Sequence, residues 1–404
     1  MSFQFQFRAG NRYVRDKSVY ETAHLMEHMA FGANSQYKSE HDYEADFTKN
    51  GAYHNAYTSD YSMCYVADCA DFEWDRILDL QRLAICEPKF NPSELRAEKG
   101  NVKSELTGYL NNHNRVLWPK VQQILGEDIL SYWQRLQTIP TVKLSDIIEH
   151  HARTHTSDNL RFVIAGKLDG RKGKIREMLE KWSLPEGERF AIPRDTLSSA
   201  GPSLIRRKEA SNLTFGWSVV LPRELNDEED DAMGCLNHLL TGTMHSRIYG
   251  AARKKGLAYG VFSEVSVGHH DSSWDFGGQV NLDKADKLFD IIVKEMKAVS
   301  EGRISEKELE AAKSYALGRH QMGAQTVSQI SNFYSGRFFS DDVLRSYDSA
   351  PEEIKGINLD RMIATAREFL AHDAWALAGV SSGEKDDLVR LNDKLKSLFE
   401  LKGR

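Results

Sequence analysis

Two histidines four residues apart, with a glutamate beside the second, are the sharpest chemical signal in the sequence: His24-Leu25-Met26-Glu27-His28. On a helix, positions i and i+4 lie one above the other on one face, so two imidazoles so placed can reach one cation. Glu27 stands next to them as a proton acceptor. Leu25, Met26 and Met29 then face the interior, and the helix is buried except where it carries the imidazoles. A metal site that does chemistry usually takes three protein ligands and keeps one position open, so a third donor is needed. A second helix offers candidates. Asn91 can cap it, Pro92 suits its first turn and Glu94 completes a box-like pattern. It should run to about Leu110 and carries Glu94, Glu98 and Glu105. Glu98 and Glu105 are two turns apart and share a face, so one carboxylate could bind the metal while the other orients a ligand from behind.

The elements that must position these groups are legible in outline. Phe3 to Arg8 alternates with period two, as a half-buried strand does. A helix is expected from about Tyr20 to Gly32, and another from Ser39 to Asn50, with Ser39 as cap and Gly51 past its end. Tyr57 to Ala67 reads as a strand and Phe72 to Ile85 as a helix. Residues 184–203 contain Pro, Gly and Ser without a sustained apolar face, and read as a linker between a first domain, 1–183, and a second, 204–404. The halves look like distant repeats. The first closes with a helix, Leu144–His155, and a strand, Leu160–Ala165, before Gly166. The second closes with a helix, Leu359–Leu370, and a strand, Trp375–Ala378, before Gly379. Long helices and strands in the same order predict two homologous α+β domains, each a largely antiparallel sheet with helices on one face.

The order H-x-x-E-H is the inverted form of a zinc-peptidase motif, and here the sequence resembles the pitrilysin-like family of zinc metallopeptidases. Ala9-Gly10-Asn11-Arg12 is similar to the segment that precedes the motif in that family. Gly51–Ser59 (GAYHNAYTS) is similar to its edge-strand segment. Leu239–Tyr259 (LLTGTMHSRIYGAARKKGLAY) is similar to a block in its second half. Glu105 stands 77 residues past His28, about the distance at which the family places its third ligand. The resemblance therefore implies one zinc per chain on His24, His28 and Glu105, with Glu98 as a supporting group. It implies Glu27 as the base acting on a water at the metal, and Asn55 and Ala56 as binders of a substrate added as a strand. It further implies Tyr259 and an arginine upstream as donors to the oxyanion of the attacked carbonyl.

This chain departs from the family pattern in three places. The family's opening strand or two are absent ahead of Phe3, so the first sheet is expected to lack strands. Arg253 is one residue nearer Tyr259 than the family's arginine. The usual Gly before the motif is replaced by Glu21-Thr22-Ala23.

Composition narrows the alternatives. A net charge of -6 with mixed signs argues against a nucleic-acid protein. No apolar run reaches membrane-span length, and the alternating start lacks a leader's apolar core, which points to the cytoplasm. Cys64, Cys69, Cys86 and Cys235 make no CxxC pair and read as reduced thiols. His150, His151 and His155 lack an intervening Glu and read as a packed helix face. His269-His270-Asp271 reads as a turn. The function implied is that of a zinc-dependent endopeptidase acting on peptides or unfolded segments. The alternative is a silent, substrate-binding partner subunit of a heterodimeric peptidase. A scaffold with structural zinc would need four ligands, often Cys. Half-length members of the family pair to close a chamber, so a homodimer or a heterodimer with a related chain is expected.

Overall fold

The computed structural model describes residues Met1–Glu400. It divides into two compact units that interleave along the chain.

The first unit comprises 1–110, 132–193 and 323–345. Its sheet is β1 (Ser2–Phe7), β2 (Tyr53–Thr58), β3 (Met63–Asp68) and β4 (Leu160–Ala165), in the order β2-β3-β1-β4 and antiparallel throughout. Its helices are α1 (Thr22–Ala30), α2 (Glu40–Thr48), α3 (Trp74–Cys86), α4 (Pro92–Tyr109), α6 (Tyr132–Thr138), α7 (Leu144–Thr154), α8 (Lys172–Glu180) and α13 (Val327–Asp341). Phe3, Phe5 and Phe7 enter one apolar core with Leu25, Met26 and Met29 of α1 and with Val102 and Leu106 of α4. Burying such side chains stabilises by roughly 2 kcal/mol each, enough to fix α1 and α4 against the sheet.

Two sequence expectations need correction here. The β1 strand is buried along its whole length, not half-buried, because its polar face is covered by α13, where Gln4 donates to Asn332 Oδ1. The stretch from Tyr57 to Ala67 is a hairpin, β2 and β3, and not one strand. Ser59 N–H donates to Ser62 O at 2.8 Å across the turn, and serine and aspartate are natural turn residues.

The second unit comprises 111–131, 194–322 and 346–404, the last described to Glu400. Its sheet holds β5 (Ser203–Arg206), β6 (Leu213–Leu221), β7 (Ala258–Val267), β8 (Ser272–Val280) and β9 (Trp375–Ser381), in the order β5-β9-β6-β8-β7. Among the described residues, only the β5–β9 pair is parallel. Its helices are α5 (His113–Ile124), α9 (Asp227–Asn237), α10 (Tyr249–Lys254), α11 (Leu282–Ser300), α12 (Glu306–Met322), α14 (Ala350–Gly356), α15 (Leu359–Ala371) and α16 (Lys385–Lys396). Helices α9, α11, α15 and α16 share the main core with Phe215, Trp217 and Phe276. Helix α5 lies close to β6 at Gly216, where a Cβ would stand 3.3 Å from both Leu117 and Val121.

Residues 182–202 contain no helix or strand. Neither do the compact units follow chain order: α5 groups with the second half of the chain and α13 with the first.

Candidate metal centre

Helix α1 seats its apolar side, with Leu25, Met26 and Met29 no more than 1% exposed, and so turns His24 and His28 to one place. Their ring centroids are 4.9 Å apart and the rings are nearly perpendicular. Asn91 Oδ1 accepts the Glu94 N–H at 2.9 Å and Pro92 opens α4, so the register of that helix is set from its first turn. Buried Val102 and Leu106 then leave Glu105 facing the imidazoles. Its Oε2 lies 3.5 Å from His24 Nε2 and 3.4 Å from His28 Nε2.

These three donors fit a zinc ion. Two imidazole nitrogens and one carboxylate oxygen are a common catalytic donor set, and bonds near 2.1 Å in a tetrahedral site separate ligand atoms by about 3.4 Å. All three donors lie within 4.8 Å of one another.

Both Nδ1 atoms are engaged elsewhere. His28 Nδ1 donates to Glu98 Oε2 at 2.9 Å, and Asn101 Nδ2 holds both Glu98 oxygens at 3.1 and 3.2 Å. His24 Nδ1 donates to Glu21 Oε2 at 3.0 Å. A carboxylate only accepts, so each imidazole keeps a proton on Nδ1, and Nε2 is the nitrogen left to bind a cation once it gives up any proton of its own. Burial disfavours charge on His28, yet its hydrogen bonds to Glu105 and Glu98 outweigh that and hold it up at about 10, so a cation binds there in competition with the Nε2 proton that Glu105 would otherwise accept. The His24 and His28 rings in turn hold the Glu105 carboxyl far below its usual range.

Three partners went unread in the sequence. Glu21 stands where the related family has glycine, and its place one turn before His24 is the local signal that points to it. Thr58 Oγ1 donates to Glu27 Oε2 at 2.6 Å. Arg135, which binds Glu21, has no local signal at all.

The other expected site residues fall as follows. Asn55 and Ala56 lie on β2, the edge strand of the first sheet, where the Asn55 side chain accepts the Ala56 N–H at 2.9 Å. Gly10 allows the end of β1 to approach the β2–β3 turn, since a Cβ there would meet Ser59 O at 2.3 Å. Arg253 and Tyr259 belong to the second unit and sit together, the guanidinium carbon 4.5 Å from the centre of the tyrosine ring. Tyr259 stands at a break in the β7–β8 register and is 82% exposed, as bulged residues often are when a strand re-aims a side chain.

The three histidines of the α7 region are packed. His150 Nε2 bonds Ala9 O at 2.9 Å, His151 Nε2 bonds Ile85 O at 3.0 Å and His155 Nε2 meets the Tyr65 hydroxyl at 2.8 Å. The His269-His270 pair lies in the turn between β7 and β8. All four cysteines are free.

Residues 4–127 match the family model described as Insulinase (Peptidase family M16), and residues 141–315 match the one described as Peptidase M16 inactive domain. The chain belongs to peptidase family M16. An uncharacterized zinc protease of Bacillus subtilis, YmxG, is 25% identical over 89% of this chain and 88% of its own length. The human mitochondrial-processing peptidase subunit beta is 28% identical over 35% of this chain and 30% of that protein. Among solved structures, a Helicobacter pylori protease superimposes with a TM-score of 0.79 at 16% identity over 94% of both chains. A Pseudomonas fluorescens structure described as a peptidase M16 inactive domain gives 0.80 at 16% identity over 95% of this chain and 92% of that one. The fold is thus α+β, with two M16 domains. Among the described residues no helix is long and apolar enough to cross a membrane.

Proposed function

We propose that this M16 chain is a zinc-dependent endopeptidase that hydrolyses peptides or unfolded protein segments, with zinc on His24, His28 and Glu105. One observation carries the reading: both Nε2 atoms stand nearly equidistant from Glu105 Oε2 while a carboxylate occupies each Nδ1. Zinc supplies a Lewis acid for the scissile carbonyl and lowers the pKa of water within its reach.

The remaining work falls to the chain's own groups. Glu27 takes the proton of the attacking water and passes it to the leaving amine. Thr58 fixes one Glu27 oxygen and so the direction from which the carboxylate meets that proton. The backbone beside Asn55 and Ala56 receives the substrate as an added strand on β2. Tyr259 and Arg253 are proposed as donors to the oxyanion. The domain division at 184–203, a cytoplasmic setting, and pairing with a second copy or a related chain belong to the same proposal.

A second reading is a silent partner that holds substrate for another subunit. The relatives named as subunits, and the inactive-domain description of the match over 141–315, favour it.

Purified protein tested on a quenched-fluorescence peptide library separates the two. The first reading expects cleavage that a chelator abolishes and added zinc restores. Stoichiometric zinc without any cleavage would give the second reading precedence.

A further inference from the structure

Glu21 is a charge the proposed chemistry does not use, placed where a charge is costly. It lies at the N-terminal end of α1 with its side chain wholly buried. An ionised carboxylate in such a place must be paired and hydrogen-bonded. Arg135 of α6 meets both oxygens, Nε at 2.5 Å from Oε1 and Nη2 at 3.0 Å from Oε2. That same Oε2 accepts the His24 Nδ1 proton at 3.0 Å. The arginine is itself confined, its guanidinium carbon 5.2 Å from the centre of the Tyr132 ring and 6.0 Å from that of Tyr20. Thr138 closes the arrangement, accepting the Glu21 N–H at 3.3 Å and donating to Arg135 O at 2.9 Å.

We propose that Glu21, locked by Arg135, is a positioning residue that holds the His24 imidazole in the tautomer and direction that aim Nε2 at the metal, as Glu98 does for His28. The inference rests on the zinc reading above. The geometry separates this role from a purely structural one. An ion pair that served only the fold could be replaced by apolar side chains at little cost, whereas here the arginine leaves Oε2 shared with the imidazole. The arginine also fixes both carboxylate oxygens, so Glu21 orients its histidine without swinging in as a competing ligand. An acceptor of this kind raises the basicity of the far ring nitrogen, and its loss typically weakens metal binding 10- to 100-fold.

The test is zinc affinity by chelator competition, together with the visible absorption of the cobalt-substituted protein. It uses the full chain, Glu21→Gln, and the double variant Glu21→Gln/Arg135→Met, which removes both buried charges. Expected are a roughly 10- to 100-fold weaker zinc affinity in both variants and shifted cobalt bands at saturating metal. Urea midpoints identify the variants that fold as the parent does. If Glu21→Gln unfolds for want of a partner for Arg135, the double variant carries the test. Zinc affinity within twofold of the parent, with superimposable cobalt spectra, would overturn the positioning role and leave the zinc reading standing. Failure of the unaltered chain to bind zinc would instead remove the zinc reading, and the positioning role with it.

Discussion

In each unit the helix that follows the first antiparallel strand of the core begins with a buried glutamate held by an arginine, and the two glutamates are put to different uses. In the second unit Glu229, in the first turn of α9, meets Arg223 at 2.8 and 3.1 Å. Arg223 also binds Glu368 of α15. The Glu229 carboxylate further accepts the Asn226 N–H and closes the helix's capping box. Every bond it makes serves the fold. In the first unit Glu21 meets Arg135 in the same manner, but its second oxygen goes to an imidazole. The difference lies one turn further along: α1 continues with two histidines and a glutamate, whereas α9 continues with Met233, Cys235 and Leu236, all buried in the core. A duplicated framework can keep the same ion-pair device at its helix starts and attach chemistry to only one copy.

The sheets differ in a related way. The β5 strand, paired parallel to β9, has no counterpart beside β4 in the first sheet among the described residues.

This comparison can be broken most directly at the base. Glu27→Gln is expected to keep its zinc and lose about three or more orders of magnitude in peptide cleavage; full activity would remove Glu27 from the mechanism. Next, His28→Ala should drop bound zinc from one per chain to near none by elemental analysis, with a fold like the parent's. Retained zinc would contradict the ligand set.

The third prediction concerns pH, where the two units pull in opposite directions. Burial holds His150 and His151 down at about 4 and pushes His155 well below the ordinary histidine value. These groups bind protons more readily unfolded than folded, so the first unit loses stability as pH falls from about 6.5 towards 4, by roughly 3 kcal/mol per histidine at most. Burial instead pushes Asp275 of β8 up to about 6. Its folded form keeps the proton longer than the unfolded chain does, so the second unit loses stability as pH rises from about 4 to 6. Urea midpoints against pH should show the histidine slope, with His151→Gln flattening it and Asp275→Asn removing the opposing one. Unchanged slopes in both variants would refute these assignments.

The smallest effect belongs to the structural glutamate. Glu229→Ala should cost about 1–2 kcal/mol of stability through the lost cap and ion pair while leaving zinc affinity unchanged. A change in zinc affinity would blur the distinction drawn between the two glutamates.

Much of the framework was legible because its causes are local. Ser39 caps α2, Asn91 caps α4, and Gly51 takes φ +86° just after the turn that ends α2. Each signal depends on a few adjacent residues. The hairpin at Ser59–Ser62 was missed because a short polar turn between two apolar strands barely interrupts their pattern. The full burial of β1 is not legible locally because Gln4 reads as solvent-facing until Asn332, 328 residues away, supplies its partner.

By itself the sequence determined that His24 and His28 share a helix face, that Glu98 and Glu105 share another, and that apolar neighbours bury both helices. Helical periodicity allows no other outcome once the helices form. Only the tertiary structure decided that the two faces meet, that Arg135 reaches Glu21, and that Thr58 holds Glu27. Those contacts join groups from 31 to 114 residues apart, and no local preference encodes them. They follow from how the cores pack, because each helix can lie on the sheet in only one rotation that buries its apolar side.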